Sequence, residues 1–481
     1  MDTGEKDREM TRPPFRFLAP LLASVALSGC VSGPAPEIAT PTPVLPESYL
    51  YAPELDEMAS LAALLPHDDP AFDTLAAQAL AGSPTLGEAL ARIEQARAGA
   101  ERVGAERRPS IGSSASVTGQ RTNPGQFGAN LPPNVDIDNE RVSYAANITA
   151  RWDPDVFGAL RARERAELLR VDAASAGAAA VRLALLSEVA ASVIDWRTLA
   201  AREAELESDL AAAQQLARLA SVRERAGIAP GIDRVRAENQ AAASRSRLQN
   251  LSGERARLLG RLVTLTTQSG AQVRAALQQA GPPVALPSPP VALPSELLAN
   301  RPDVVRAAAE LSAADEDLAA AARRRFPRFD LSAAIGLLAF GLGDLFDADS
   351  IVGSLASSVA VPLLDFGRIE AEIDGAAASK RAAFEGYRGA VYSALGDAEA
   401  AYGLVAAADA EAAAAFAERE SAQRAAALAN TRFEAGLADF LTVIEARRTA
   451  DASGDRAAAA IGRARRARVL LWQSLGGSKS D

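Results

Sequence analysis

Few side chains in this 481-residue chain could carry out chemistry. The sequence contains one histidine, His67, which stands beside Asp68 and Asp69 and has no companion metal ligand. Serines are numerous, but none has a candidate general base at a useful spacing. We therefore predict no metal site, no cofactor and no enzymatic activity, and we interpret His67 as a surface residue. An enzyme that uses His67 is the first alternative.

The only cysteine, Cys30, follows a segment typical of an export signal. Arg12 and Arg16 precede an apolar run over residues 17–27, and small residues stand immediately before Cys30. A basic region, a short apolar run and small residues at the cut are the marks of a secretory signal. We predict that residues 1–29 are removed. A second start at Met10 and a chance cysteine are the alternatives that remain open.

The residues around Cys30 resemble a bacterial lipoprotein box. The resemblance implies that Cys30 becomes an acylated N-terminus, and the lack of aspartate at position 31 favours delivery to the outer membrane. Acyl chains contribute about 0.8 kcal/mol per buried methylene, so a multiply acylated terminus would be a firm anchor. No cysteine is left for a disulfide, so packing must supply the stability of the exported protein.

The composition favours long, closely packed helices. Aromatic residues make up 5% of the chain and charged residues 23%, and alanine-rich tracts extend over hundreds of residues. The net charge of −10 and the absence of a basic cluster argue against a nucleic-acid partner. We find no apolar run of about 20 residues after Cys30, which predicts that any membrane crossing uses strands.

Residues 432–446 form a glycine-centred turn that occurs twice in the chain. The stretch RFEAGLADFLTVIEA has its counterpart 209 positions earlier in RERAGIAPGIDRVRA, with Gly436 matching Gly227. The pair Phe366-Gly367 matches Phe157-Gly158 at the same offset. Two independent matches at one spacing indicate an internal duplication.

The segments that lead to these turns are predicted to be very long helices. No proline lies between Gly158 and Gly227 or between Gly367 and Gly436. Each run corresponds to roughly 100 Å of helix at about 1.5 Å per residue. A heptad seam in the second run recurs in the first, which indicates helix packing. Its residues are Val391, Leu395, Ala398, Tyr402 and Val405, and the last four are matched by Leu186, Val189, Val193 and Trp196.

Four segments alternate between apolar and polar residues and are predicted to be strands. They cover residues 111–118, 142–152, 328–335 and 355–363. Alternation of this kind is typical of strands with one face in lipid and one in water. Two hairpins of a soluble α+β domain are the alternative.

The predicted elements give each repeat the order helix, two strands, long helix, turn, shorter helix. The predicted divisions are a signal peptide (1–29), an acylated tether (30–69), a first repeat (70–280), a Pro-rich linker (281–301), a second repeat (302–476) and a tail (477–481). Four strands cannot close a barrel, and open strand edges are not viable in lipid. We therefore predict a mainly α fold with a transmembrane β-barrel portion, in which a homotrimer forms a twelve-stranded barrel continued by a long periplasmic α-helical barrel.

Several motifs resemble the outer membrane efflux proteins of the TolC and OprM type, particularly the lipoprotein branch that serves resistance-nodulation-division (RND) pumps. They are WDPDVFG at 152–158, LPSELLANRPD at 293–303, Phe326-Pro327 and the turn at 432–446. The resemblance implies a trimeric outer membrane channel that docks to a periplasmic adaptor and an inner membrane RND pump. Such a channel passes small molecules out of the cell without chemistry.

The resemblance also assigns roles to particular residues. The predicted adaptor-contact tips are Ala226, Gly227, Ile228, Ala435, Gly436 and Leu437. The predicted pore-constricting residues are Leu441, Glu445 and Arg448, where glutamate replaces the aspartate that the family often has. The equivalents in the first repeat are Ile232, Arg236 and Asn239, so the two turns need not act equally. An ordinary exposed ion pair between Glu445 and Arg448 is the alternative.

Two rival functions remain at this stage. A protein-secretion outlet of type I systems would share the channel architecture, and a structural coiled-coil lipoprotein would share the heptads and Cys30. The Arg301-Pro302-Asp303 motif favours efflux, and a coiled-coil protein would not need four amphipathic strands. The transported substrates cannot be inferred, because the pump selects them.

Overall fold

The computed structural model describes residues 36–53, 60–121, 123, 140–279, 281 and 286–477. The predicted signal peptide and Cys30 lie outside the described residues. The chain divides into two compact units. The first comprises the described residues within 36–40, 97–169 and 312–382, and the second comprises those within 41–96, 170–311 and 383–477.

The first unit contains a four-stranded antiparallel sheet with the strand order β1-β2-β3-β4. The strands are β1 (Ser110–Arg121), β2 (Glu140–Trp152), β3 (Arg328–Ala339) and β4 (Ile351–Ala360). Strand β4 begins and ends earlier than the predicted 355–363. Pro362 explains the end, because a proline has no N–H to donate to the ladder.

The register places most of the large apolar residues of the four strands on one face. Ile111 is opposite Ala150, Ile148 is opposite Ile335, and Ala333 is opposite Leu355. Because side chains alternate along a strand, residues paired in this way share a face. The opposite face carries mainly small and polar residues, among them Ser114, Asn147, Thr149, Arg151, Ser332 and Ser358.

The α-helices of the described residues are α1 (Pro70–Gly82), α2 (Pro84–Ala105), α3 (Ala159–Arg225), α4 (Gly231–Thr266), α5 (Gly270–Leu277), α6 (Leu297–Asn300), α7 (Pro302–Arg323), α8 (Arg368–Glu434) and α9 (Phe440–Ser474). The helices on either side of each glycine turn repeat at the spacing that the sequence predicted. Helices α3 and α8 are both 67 residues long. Both begin and end at positions 209 apart, which confirms the duplication.

The structure corrects the single helix that we predicted at the start of the first repeat. This part of the chain forms two helices, α1 and α2, separated at Ser83, whose backbone is extended (φ −65°, ψ 120°). Pro84 follows Ser83, and the residue before a proline rarely adopts a helical conformation.

The heptad seams meet in the main hydrophobic core of the second unit. Val189 and Val193 of α3 and Ala398 and Tyr402 of α8 are all at least 99% buried and belong to one cluster. Both long helices also contain an 18-residue stretch that could cross a membrane by length and composition alone. Half of that stretch in α3 is buried within the protein, and a core helix meets the same criterion. These stretches are therefore not evidence that either helix crosses a membrane.

The part of the predicted extended tether around Tyr49 and Leu50 is packed against α8. The Tyr49 ring lies 5.2 Å from the Tyr402 ring, and Tyr49 is only 4% exposed. The backbone N–H of Leu50 donates to the carboxylate of Glu399 at 2.9 Å. This segment is therefore fixed to the helical core of the second unit.

Candidate functional site

Both predicted tips are helix ends closed by a glycine with positive φ. At the first tip, Gly227 (φ 73°) donates to the Glu224 carbonyl at 2.9 Å, and Ile228 donates to the Arg223 carbonyl at 3.0 Å. These two bonds form the Schellman motif, which satisfies the last carbonyls of a helix. A Cβ at Gly227 would meet nothing within 4 Å, so the backbone angle and not space requires glycine.

The second tip has the same geometry. Gly436 (φ 74°) donates to the Phe433 carbonyl at 2.9 Å, and Leu437 donates to the Arg432 carbonyl at 2.7 Å. The residue after each glycine has a large apolar side chain that is exposed to solvent. Ile228 is 68% exposed and Leu437 is 70% exposed. Apolar side chains of this size at a tight turn are available for contact with another protein.

A small hydrophobic cluster lies close to the second tip, and we call it the tip cluster. It consists of Ala220, Ala237, Phe433, Phe440, Val443 and Ile444. Ala220 and Ala237 come from the first repeat and the others from the second, so the cluster joins the two helical hairpins. The Arg223 guanidinium also lies 4.7 Å from the centre of the Phe433 ring.

The three predicted pore residues lie at the start of α9. Asp439 caps this helix by accepting a hydrogen bond from the Thr442 N–H at 2.7 Å. Hydrogen bonds from Thr442 hold the pKa of Asp439 below its usual range. Leu441 is half-buried, whereas Glu445 and Arg448 are exposed. The spacing of four and then three residues puts all three on one side of α9.

Glu445 and Arg448 form no ion pair with each other within the chain as described. The ion pair near this point instead joins Arg447 to Asp451 at 3.9 Å. The ordinary i, i+3 surface pair that was our alternative is therefore not formed. Both charged groups remain available to groups outside the chain.

Arg301, the first residue of the Arg301-Pro302-Asp303 motif, is a buried structural anchor. Its side chain is 9% exposed and donates to Asp303, to Asp397 of α8 and to the carbonyl of Ser474 at the end of α9. The distances are 2.7, 3.0 and 3.0 Å. Arg301 thus fastens the start of the second repeat to its two main helices.

We expect Arg301→Ala to lower the free energy of unfolding by about 1–2 kcal/mol, because it leaves the Ser474 carbonyl without its partner and removes bonds to half-exposed carboxylates. Thermal unfolding of the detergent-purified protein would measure the loss. Arg306→Ala is the control, since Arg306 is exposed and pairs with the exposed Glu310 one turn away. Equal unfolding temperatures for the two variants would contradict the anchoring role.

The structure brings together other groups that the sequence gave no reason to single out. Arg197 of α3 forms two bonds to Asp69, at 2.8 and 2.9 Å, and one to the Leu277 carbonyl. Arg468 of α9 likewise pairs with Asp409 and with the Pro287 carbonyl. Arginine and aspartate are common throughout the chain, and only the folded packing distinguishes these anchors.

His67 shows no catalytic environment among the described residues. Its Nδ1 lies 3.0 Å from Asp73 Oδ1, and its ring lies edge-on to Phe72. Within the part of the chain that the structure describes, no group of three His, Cys, Asp or Glu residues could hold a metal ion. These contacts agree with our interpretation of His67 as a surface residue.

Comparison with solved structures shows the class of fold. The structure of the outer-membrane channel OprN superposes with a TM-score of 0.80, covering 92% of this chain and 99% of that one at 26% identity. The fold is therefore that of outer-membrane channels.

The outer membrane efflux protein family model matches residues 75–268 and 293–477. The chain belongs to the outer membrane efflux protein family. The pyoverdine export outer membrane protein OpmQ of Pseudomonas aeruginosa is 32% identical over 415 residues, 85% of each protein. The toluene efflux pump outer membrane protein TtgI of Pseudomonas putida is 27% identical over 450 residues, 89% of this chain and 91% of that protein.

These matches confirm the predicted family and the predicted function as an outer membrane efflux channel. Members of the family are channel proteins rather than enzymes. Neither relative is named as a protein-secretion outlet or as a structural lipoprotein. The outer membrane is the location shared by the relatives.

Proposed function

We propose that this chain is the trimeric outer membrane component of a tripartite efflux system and passively conducts small molecules from an inner membrane RND pump and a periplasmic adaptor to the exterior. The observation that carries the proposal is the sheet. Its four strands share one apolar face, and β1 and β4 are left as edges.

The sheet supports a trimer for two physical reasons. Unpaired strand edges are not tolerated in lipid, so β1 and β4 must pair with strands of other copies. Four strands are too few to surround even packed side chains, whereas three copies supply twelve strands. With the apolar face outward, Asn147, Arg151 and Asp330 would line a water-filled interior.

The tips are the surface that we propose for the adaptor. Ile228 and Leu437 are exposed in the single chain, and both directly follow a glycine with positive φ that closes the helix in a tight turn. Rigid, exposed apolar side chains suit a docking contact, because little conformational entropy is lost on binding. The six tip residues named above would contribute to this contact from both repeats.

We expect the double change Ile228→Asp and Leu437→Asp to reduce co-purification with the cognate adaptor and pump about tenfold, since carboxylates would be buried at the contact. The unfolding temperature should not change, because both side chains are in solvent. Leu428→Asp is the control, with a leucine of similar exposure (66%) within α8. Undiminished co-purification of the double variant would exclude these tips as the docking surface.

We also propose that Leu441, Glu445 and Arg448 of three copies meet at the pore axis and narrow it. The support is that Glu445 and Arg448 are exposed, lie on one side of α9 and have no ion pair with each other. Three copies would form a charged ring held shut by bonds between neighbouring chains. The helix cap at Asp439 and the tip cluster would hold these side chains in place.

Lipid anchoring through Cys30 is a separate proposal that rests on the sequence motif. Cells grown with labelled palmitate should incorporate the label into the wild-type protein but not into Cys30→Ser. The protein should remain folded, because the described residues supply the core without Cys30. Labelling of the Cys30→Ser protein would show that the anchor is elsewhere.

A further inference from the structure

Two buried carboxyl groups face each other between α3 and α9. Asp209 is 9% exposed and Asp451 is 4% exposed. Glu205, one turn before Asp209 on α3, lies against Gly454 of α9, three residues after Asp451, so the two aspartates meet at the same crossing of the helices. As two carboxylates, neither could donate a hydrogen bond, because an ionised carboxyl group only accepts.

The surroundings do not neutralise both charges. Arg447 of α9 lies 3.9 Å from Asp451, and Gln240 of α4 donates to Asp451 Oδ2 at 3.2 Å. Glu205 adds a third carboxylate one turn from Asp209 on α3. The Glu205 carboxylate forms an ion pair with Arg419 of α8, whose Nη2 donates a hydrogen bond to it at 2.6 Å.

Among the described residues, no lysine or arginine forms an ion pair with Asp209 itself. Its Oδ2 is buried and has no hydrogen-bond partner in the described part of the chain. Burial, followed by the adjacent Asp451 and by Glu205, raises the pKa of Asp209 to about 8, and Arg447 opposes the rise. A proton on Asp209 removes this repulsion and lets its carboxyl group donate a hydrogen bond to Asp451.

We propose that Asp209 and Asp451 share one proton, and that this proton holds α9 against α3 and makes the contact sensitive to pH. When the proton leaves, two buried negative charges repel each other across the contact. Helix α9 also begins with Leu441, Glu445 and Arg448, so its loosening would favour an open pore. That second consequence rests on the function proposed above, whereas the shared proton does not.

The direction of the pH dependence follows from the proton count. An aspartate in an unfolded chain ionises near about pH 3.9, whereas Asp209 in the fold retains its proton to about pH 8. Between these values the folded state binds one more proton than the unfolded state. The stability from this proton is therefore fully present below about pH 4 and lost as pH rises through about 8.

Thermal unfolding of the detergent-purified protein between about pH 6 and about pH 9 tests the shared proton. We expect the wild-type unfolding temperature to fall by several degrees over this interval. In Asp209→Asn the fall should be at least halved, because an amide donates to Asp451 without titrating. Asp451→Asn should behave likewise, and Glu207→Gln, an exposed acid on the same helix, should follow the wild type.

Infrared spectroscopy gives an independent measurement of the same proton. The carbonyl stretch of a protonated carboxyl group should be present in the wild type near about pH 7 and absent in Asp209→Asn. The shared proton would be overturned if the unfolding temperature of both asparagine variants fell with pH as steeply as that of the wild type. It would also be overturned if the wild type showed no such band.

Conductance in planar bilayers separates the two consequences. We expect wild-type channels to conduct at least about twofold more near pH 9 than near pH 7, and Asp209→Asn channels to be insensitive to pH. If the unfolding and infrared measurements showed the shared proton but conductance did not change with pH, only the proposed control of the pore would be overturned. No conductance from any variant at either pH would contradict the proposed function and, with it, that control.

Discussion

Replacing Ile148 by arginine should prevent most of the protein from assembling in the outer membrane. Ile148 lies in the middle of β2, is 55% exposed and belongs to the apolar face of the sheet. An arginine facing lipid at the centre of a barrel costs about 2–4 kcal/mol, and a trimer would carry three. We expect the amount of heat-dissociable trimer in outer membrane fractions to fall at least about tenfold.

The neighbouring Thr149 supplies a matched control. It lies on the same strand but on the polar face, opposite the small residues Gly112 and Ala334. Thr149→Arg should therefore assemble at close to the wild-type level, because its charge would point into water. If both variants assembled equally well, or failed equally, the apolar face would not be the lipid-facing surface.

Removing the charges at the start of α9 should open the channel. With Glu445→Ala and Arg448→Ala combined, each copy would lose contacts worth about 0.5–1 kcal/mol, and three copies would lose about 1.5–3 kcal/mol. This corresponds to a rise in the open population on the order of 10–100-fold if the wild type is mostly closed. Basal conductance of purified channels in planar bilayers would measure it.

The duplicated chain contains the control for this experiment. Arg236 and Asn239 occupy the equivalent positions after the first turn, and replacing both by alanine should leave basal conductance unchanged. An equal rise in that variant would show that the two turns act alike. If basal conductance did not rise in the Glu445→Ala, Arg448→Ala variant, these two residues would be ordinary solvated surface residues and not part of a gate.

The sequence predicted those features that repeat or alternate. The offset of 209 residues, the two long helices and the four strands follow from spacing alone, because periodicity records which side of an element is buried. The tips were also predictable, since only glycine adopts their positive φ without cost. The ends of β4 and the break between α1 and α2 depend on Pro362 and Pro84, whose local effects periodicity does not record.

The buried charged groups could not be predicted in this way. Asp209 corresponds to Glu418 in the second repeat, which forms an exposed ion pair with Arg456. Asp451 corresponds to Ala242, so the pair is not duplicated. The contact depends on how α3, α4 and α9 pack, and no local spacing in one sequence reports such packing.

Single-channel recording in planar bilayers tests most directly whether this chain forms a conduit. Both the wild type and the Glu445→Ala, Arg448→Ala variant should be recorded, so that a closed resting state does not hide the pore. We expect discrete conductance steps of uniform size, longer-lived or more frequent in the variant. Protein that retains its helix and strand signals in far-UV spectra but yields no steps in either form would contradict the proposed channel.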